Sequence, residues 1–334
     1  MSDSNLAIAV CIVSHNSALD LSSCLDAVGR QTLSPYEIVL VDSASTDDSV
    51  ETADRSMPSD IPSQLIELDE NLGFAGGANR AIQESEAPYV LLLNPDTIPD
   101  PEFLQNLAKR VLSSEDLRLG AIAGRLVRAT NPPASARLDA CGMILLPTWR
   151  HLDRGSAQED RGQFMNPERV FGATGAASLF VREALDDVAF GSDVFAPEFH
   201  SFREDAELCF RLQERSWITV YEPTAQCIHR RQVTPDRRRE IPPEINYHSL
   251  KNRYLLRAYH QDFANFLITF LPTLVRDVLA FFWVISLERT SLPAYSWLWL
   301  QRGNIWKRRR QIQSRRSCSS WSINRWFFRR SLPL

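Results

Sequence analysis

Residues 6–13 (LAIAVCIV) form a short apolar run that stops at Ser14-His15-Asn16-Ser17. A continuous run of that length predicts a strand buried on both faces. Residues 19–28 carry apolar positions at helical spacing. Residues 37–41 (EIVLV) predict a second strand, ended by Asp42. A helix follows over 46–56, with Ser45 or Thr46 near its N-cap. Residues 64–68, 89–93 and 120–127 read as three further strands. Helices over 73–86 and 101–112 separate them, the second with Pro101 in its first turn, where the missing donor does no harm. Alternating strands and helices predict an α/β domain with a mainly parallel sheet flanked by helices.

From 139 to 171 the pattern loosens into glycine, proline and charge, which predicts hairpins and a long loop of the kind that builds substrate sites. Order returns with a strand at 176–181, a helix over 203–215 and a strand at 217–221. The tail differs in kind. Residues 263–287 are almost wholly apolar, yet Arg276 and Asp277 sit mid-segment and Pro272 interrupts it. Central charges disfavour a spanning helix, so the expectation is an interfacial helix or a helical hairpin. Aromatic residues then meet arginines: YSWLWL at 295–300, a basic tract at 307–316, and Trp321, Trp326, Phe327 and Phe328 among Arg325, Arg329 and Arg330. Such mixtures suit an anionic membrane surface. Two parts are expected: an α/β domain over 1–235 and a helical, basic, membrane-associated extension over 236–334.

Charge sharpens that division. The net charge of −4 conceals −18 over residues 1–228 and +14 over residues 229–334. The 44% hydrophobic content supports a sizeable core and excludes low-complexity disorder. The acidic body argues against nucleic acid as a partner. Six scattered cysteines with no C-x-x-C pair point to a reducing compartment, and the first residues lack a signal-peptide pattern. Together these suggest a cytoplasmic protein.

Ligands of parallel α/β sheets bind beyond the carboxyl ends of the strands. The polar clusters there are Ser14-His15-Asn16, Asp42-Ser43, the glycine-rich stretch from Asn71 through Gly73 to Asn79, and Asn94-Pro95-Asp96. Asp42 can accept hydrogen bonds from a base or ribose, or simply shape a turn. The glycines let backbone approach a ligand closely, but their spacing is neither the dinucleotide fingerprint nor a P-loop. Asp96 offers a hard oxygen ligand for Mg²⁺ or Mn²⁺, or serves a turn. Glu204 and Asp205 stand in a helix's first turn, as dipole complements or as a general base. His229 follows a strand, where neutral imidazole can ligate a metal.

The order and spacing of these motifs, from Ser14-His15-Asn16 through Gly172-Ala173-Thr174-Gly175 and Glu204-Asp205 to His229, resemble glycosyltransferase family 2 over roughly residues 6–260. The likeness is to its rhamnosyltransferase-like and galactofuranosyltransferase-like branch. The resemblance implies a GT-A (Rossmann-like) fold and an inverting, metal-dependent transfer from a nucleoside-diphosphate sugar, dTDP- or UDP-linked, with rhamnose favoured. It places Ser14, His15, Asn16, Asp42, Asn71, Gly73, Asn79 and Asn94 on the nucleotide side. Asn94-Pro95-Asp96 occupies the D-x-D position, with Asp96 as metal ligand and Asn94 in place of its first carboxylate. His229 matches the late histidine of the metal shell, followed here by Arg230-Arg231. Asp205 matches the catalytic base, with Glu204 beside it. Asp139 and Gly142 match a D-x-x-G element, and Gly175 lies in a segment expected to hold the acceptor. That acceptor is a glycan or a polyprenyl-diphosphate-linked glycan, reached at the inner face of the cell membrane. The rival is a degenerate domain that only binds sugar nucleotide or glycan. A nucleotidyltransferase is disfavoured because Ser14-His15-Asn16-Ser17 lacks the glycine and lysine it needs.

Overall fold

The computed structural model describes residues 6–129, 137–231 and 242–334. In chain order come β1 (Ile8–Ser14), α1 (Ala18–Gly29), β2 (Glu37–Asp42), α2 (Ser49–Ser56), β3 (Ser63–Glu67), α3 (Gly73–Gln83), β4 (Tyr89–Leu93), β5 (Thr97–Pro99), α4 (Phe103–Leu112) and β6 (Leu119–Arg128). Then follow β7 (Leu138–Ala140), β8 (Met143–Leu145), β9 (His151–Asp153), β10 (Glu168–Val170), β11 (Ala177–Val181), α5 (Arg182–Val188), α6 (Glu204–Glu214) and β12 (Ile218–His229). The tail carries α7 (Pro243–His260), α8 (Phe263–Leu287), α9 (Pro293–Leu300), α10 (Arg302–Arg315) and α11 (Ser320–Asn324).

The main sheet has the order β10-β12-β6-β11-β4-β1-β2-β3, with β5 on β12 and β7 on β6. Pairs β1–β2, β1–β4, β2–β3 and β6–β12 are parallel, while β11 runs antiparallel between β4 and β6. The reversal has a topological cause. β6 delivers the chain to the carboxyl edge, the β7–β10 excursion follows, and β11 re-enters from that edge without a crossover. Side chains alternate between faces, so Val10, Ile12 and Leu40 enter one apolar layer while Cys11, Val39 and Val41 enter the other. Burial on both faces explains the continuous apolar runs. In register, Ser14 pairs with Asp42, and Leu93 with Ala177, so the expected ligand-facing clusters share one edge.

Three expectations change. The strand expected at 217–221 continues to His229 across a register shift, which carries that histidine to the ligand edge. The boundary expected near 235 lies outside the described residues, and the helices beyond it do not stand apart. Leu255, Ile305, Ile312, Trp326 and Phe327 share a core with Trp149, Phe171 and Phe210. Trp326 and Phe327 are therefore not surface anchors: they are 1% and 3% exposed. Arginine in the tail is likewise partly committed, Arg308 to Glu198 of the body, and Arg316 to Asp262 and Arg309 to the Gln261 carbonyl within the tail. Lys307, Arg310, Arg329 and Arg330 stay exposed.

Candidate active site

The first wall of the site is built from turns. Ser14 ends β1, and its buried hydroxyl has no hydrogen-bond partner among the described residues. His15 is exposed and places Nδ1 2.8 Å from the Ser43 carbonyl oxygen. Asn16 adopts a left-handed φ of 52° and accepts the Thr46 N–H at 2.8 Å. Asp42 is 3% exposed, and both its oxygens accept hydrogen bonds from Ser45, from N–H at 2.8 Å and from the hydroxyl at 2.6 Å. The carboxylate thus takes the turn-shaping role that the sequence left open. Asn71 accepts from Gly73 N–H at 2.8 Å and from the Ser43 hydroxyl at 3.2 Å. Gly73 has φ +68°, and a Cβ there would lie 2.5 Å from the His200 ring, so a side chain is excluded on two counts.

Asn79 departs from expectation. It is 4% exposed and exchanges hydrogen bonds of 2.8 and 2.7 Å with the Phe195 backbone. Its amide ties α3 to the 193–195 loop and does not face a ligand. Gly142, between β7 and β8, has φ +88°, and a Cβ there would lie 2.9 Å from Val170.

Opposite lies a chain of alternating charges. β5 pairs with the end of β12 so that Thr97 faces His229. This brings Asp96 Oδ1 to 3.3 Å from His229 Nε2, while His229 Nδ1 lies 2.7 Å from Asp139. Arg231 bonds Asp139 at 3.0 Å and Asp153 at 2.8 Å, and Arg128 reaches Asp139 at 3.1 Å. Burial opposes charge on His229, but hydrogen bonds to Asp139 and Asp96 prevail and raise its pKa to about 9. Burial likewise opposes charge on Asp139, and His229 and Arg231 outweigh it, holding the carboxyl at about 2.

Asp205 sits between these walls in the first turn of α6. Its Oδ2 accepts from Gly175 N–H at 3.4 Å, and one residue on, the Ala176 carbonyl accepts from Asn94 N–H at 2.8 Å. The base candidate and the Asn94–Asp96 turn are thus joined through one short segment. Burial, with the Asp153 carboxylate adding to it, pushes the Asp205 pKa up to about 6. Burial and Asp205 hold Glu204 well above the usual carboxylate range, and one of its oxygens is buried without a partner among the described residues. The chain enters α6 through three left-handed non-glycine residues, His200, Phe202 and Arg203. The carbonyls of Phe199, Ser201 and Phe202 all converge on Asn252 Nδ2 of α7, at 2.7 to 2.8 Å.

An α/β sheet with these clusters along one edge can be compared with known proteins. Residues 9–189 match the family model described as Glycosyl transferase family 2. The chain belongs to that family. Among relatives, the uncharacterized glycosyltransferase YwdF of Bacillus subtilis is 27% identical over 137 residues, 40% of this chain and 50% of its own length. An N-acetylglucosaminyl-diphospho-decaprenol L-rhamnosyltransferase of Mycobacterium tuberculosis is 26% identical over 243 residues, 66% of this chain and 75% of its own. The chain thus spans half the length of YwdF, and only 12% of a matched teichoic acid poly(glycerol phosphate) polymerase from Staphylococcus epidermidis. Among solved structures, GalNAc-T7 with UDP, GalNAc and Mn²⁺ aligns with a TM-score of 0.58 at 14% identity, over 76% of this chain and 48% of its own. Staphylococcus aureus TarS aligns at 0.51 and 15% identity, over 85% and 44%. These likenesses give the family member its fold, GT-A.

The metal implied by the resemblance fits the residues present. Asp96 and His229 Nε2 converge, so a metal there would take the place of the Nε2 proton shared with Asp96, while Asp139 holds His229 through Nδ1, the carboxylate–imidazole support that orients a metal-bound histidine. A carboxylate and an imidazole leave positions for diphosphate oxygens and water. Reading the sequence missed Asp153, Arg231, His200 and Asn252. Arg231 gave a signal, two residues past a strand-end histidine. Asp153 lies in the loosened segment, where no periodicity marks it.

Proposed function

We propose that this family 2 member is an inverting, metal-dependent glycosyltransferase. It moves a sugar, rhamnose foremost, from a dTDP- or UDP-linked donor to a glycan or polyprenyl-diphosphate-linked acceptor. The observation that supports this is Asp205, pushed up to about 6 and held by the Gly175 N–H, one residue before the Ala176 carbonyl that binds the turn leading into Asp96 and its contact with His229. The named activity of the mycobacterial relative supports the sugar and acceptor class, and the UDP and Mn²⁺ of the GalNAc-T7 structure support the donor class.

The chemistry follows from the residues. Asp205 takes the proton of an acceptor hydroxyl while its oxygen bonds to the anomeric carbon. The bond from that carbon to the diphosphate oxygen breaks in the same displacement, which inverts the centre. Asp96 and His229 would hold Mg²⁺ or Mn²⁺, which supplies charge neutralisation for the leaving diphosphate. Ser14, His15, Asn16 and Asn71 line the nucleotide side, and Gly175 positions Asp205 by its N–H. Asp205→Asn should retain nucleotide binding and lose roughly a hundredfold or more in turnover, the span of a lost general base. Near-normal transfer by that variant removes Asp205 from the mechanism. In thermal melts, a Mn²⁺-dependent rise with dTDP or UDP, absent in EDTA, is expected. Folded protein that shifts with no nucleotide returns the chain to the binding-module reading.

The enzyme works at a membrane surface in this reading. α8 is long and apolar enough to cross a bilayer, but its polar stripe is tied to the body. Thr269 accepts from the Trp149 indole at 3.0 Å, Thr273 donates to the Pro147 carbonyl at 3.2 Å, and Arg276 donates to the Thr148 carbonyl at 2.9 Å. Fourteen large apolar residues on its other faces are exposed. A helix buried by its polar side and bare on its apolar side lies on a bilayer, not across it. Such contact at the inner face of the cell membrane agrees with a lipid-linked acceptor.

A further inference from the structure

Two imidazoles and a carboxylate meet where the loop leading into α6 approaches α7. Glu244 and His248 stand four residues apart near the start of α7, the spacing that puts two side chains on one face of a helix. His200 comes from the loop, which presents it with a left-handed φ of 60°. Its ring stacks on that of His248 with centroids 4.6 Å apart. One donor atom from each of His200, Glu244 and His248 lies within 4.8 Å of the other two. None of the three belongs to the Asp96–His229 pair.

The surroundings leave these donors usable. Glu244 is exposed and has no ion-pair partner among the described residues. His200 Nε2 lies 3.3 Å from the Asn71 carbonyl oxygen, the kind of outer contact that fixes a ligand imidazole. The His200 carbonyl accepts the Ala75 N–H at 2.9 Å, so the residue is held against the turn at 71–75. His248 Nδ1 lies 3.2 Å from Lys251 Nζ, an ammonium that competes with any cation for that ring. Lys251 has other partners, the Glu198 carbonyl at 2.6 Å and the Trp297 ring at 4.8 Å, so an ion that takes His248 does not strand it. Two imidazoles with one carboxylate suit a borderline divalent ion such as Zn²⁺ better than Mg²⁺, which asks for oxygens. Zinc bonds of about 2.0–2.2 Å place tetrahedral donors about 3.3–3.5 Å apart, so the group must close by about 1.5 Å at its widest. The exposed Glu244 side chain has the rotamer freedom to do so.

We infer that His200, Glu244 and His248 form a second cation site, one that takes Zn²⁺ and clips the start of α7 to the loop ahead of Asp205. Three protein ligands leave the fourth position of a tetrahedral ion to water. Because His200 also abuts Asn71 and Ala75, an ion held there ties three segments of the chain: the nucleotide-side turn, the loop and the helix. The site binds its ion whether or not the chain transfers sugar.

The test is titration calorimetry of the full chain with Zn²⁺ in the absence of nucleotide. Wild type should bind Zn²⁺, and Asp96→Asn, which removes a ligand of the other pair, should keep a binding event within about threefold of the same affinity. In that background, adding Glu244→Gln or His248→Ala should weaken the event about tenfold or more. Glu244→Gln keeps the shape of an exposed side chain, so its melting temperature in EDTA should match that of its parent, and it carries the test if His248→Ala is unstable. Amide exchange over residues 197–203 should slow on Zn²⁺ addition in Asp96→Asn and not when Glu244→Gln is added. Absence of Zn²⁺ binding overturns the inference, and so does binding that vanishes in Asp96→Asn, which assigns the ion to the Asp96–His229 pair. Binding that Glu244→Gln leaves unchanged, or exchange over 197–203 that Zn²⁺ does not alter, overturns it too.

Discussion

At the scale of single residues, the carboxyl proposed as base is raised first by burial and then by a neighbouring carboxylate. Asp205 is raised to about 6 by burial and by Asp153, so it is protonated in mild acid and free to accept a proton above that. The sign follows: kcat/KM should rise with pH through about 6 and level off above it. Asp153→Asn removes the neighbouring negative charge, so the acid limb should move to lower pH even if the plateau falls through loss of the Arg231 contact. A limb that stays in place in Asp153→Asn assigns the titration to another group. The residue scale is also where the sequence was least complete. Asp205, Asp96 and His229 stood at strand or helix ends, where position alone left turn, dipole and structural readings open and the family resemblance proposed their roles. Their grouping was not legible, since Asp96 meets His229 only through the β5–β12 pairing. Asn79 misled because a polar residue in a glycine-rich helix start looks ligand-facing, while here its amide satisfies the Phe195 backbone.

At the scale of elements, a helix from the tail holds the loop that leads into α6 in a costly shape. Left-handed φ at His200, Phe202 and Arg203 costs about 1–3 kcal/mol each. Nδ2 of Asn252 gathers three of the loop's carbonyls, and Lys251 binds a fourth, that of Glu198, at 2.6 Å. Asn252→Ala should let the loop relax and misplace Asp205. Turnover should fall by about tenfold or more while nucleotide binding in the Mn²⁺ melt stays close to wild type. A parallel loss of nucleotide binding and thermal stability instead makes Asn252 a general support of the fold. The sequence showed α6 as its own pattern and left residues 243–260 undivided within the helical extension. It carried no mark of this clamp, because one asparagine reaching backbone carbonyls leaves no periodicity. The alternation of strands and helices was legible for the opposite reason: burial on two faces forces apolar runs at every central strand.

At the scale of the whole molecule, the tail has two opposed surfaces, and the aromatic residues divide between them. Trp326 and Phe327 enter the core with Trp149 and Phe210, whereas Trp299, Trp306, Trp321 and Phe328 are 61–74% exposed. Composition alone grouped all of them but Trp306, which it passed over, as anchors, since an aromatic beside an arginine looks the same on either surface. The division decides how membrane contact must be tested. Removing 263–334 would strip Ile305, Ile312 and Trp326 from a shared core, so loss of membrane partition in that truncation could reflect unfolding. Substitutions on the bare face of α8 avoid this. Leu267, Leu271 and Leu274 are 59%, 67% and 45% exposed, so replacing all three by Gln leaves the core intact. At about 1.5 kcal/mol for each leucine withdrawn from lipid, the triple variant should bind anionic vesicles about a thousandfold more weakly. Its melting temperature and nucleotide response should match wild type. High salt should weaken the wild type further through Lys307, Arg310, Arg329 and Arg330, the exposed basic residues beside the aromatic ones. Unchanged vesicle binding in the folded triple variant would mean that α8 meets protein rather than lipid, and would withdraw its support for a lipid-linked acceptor.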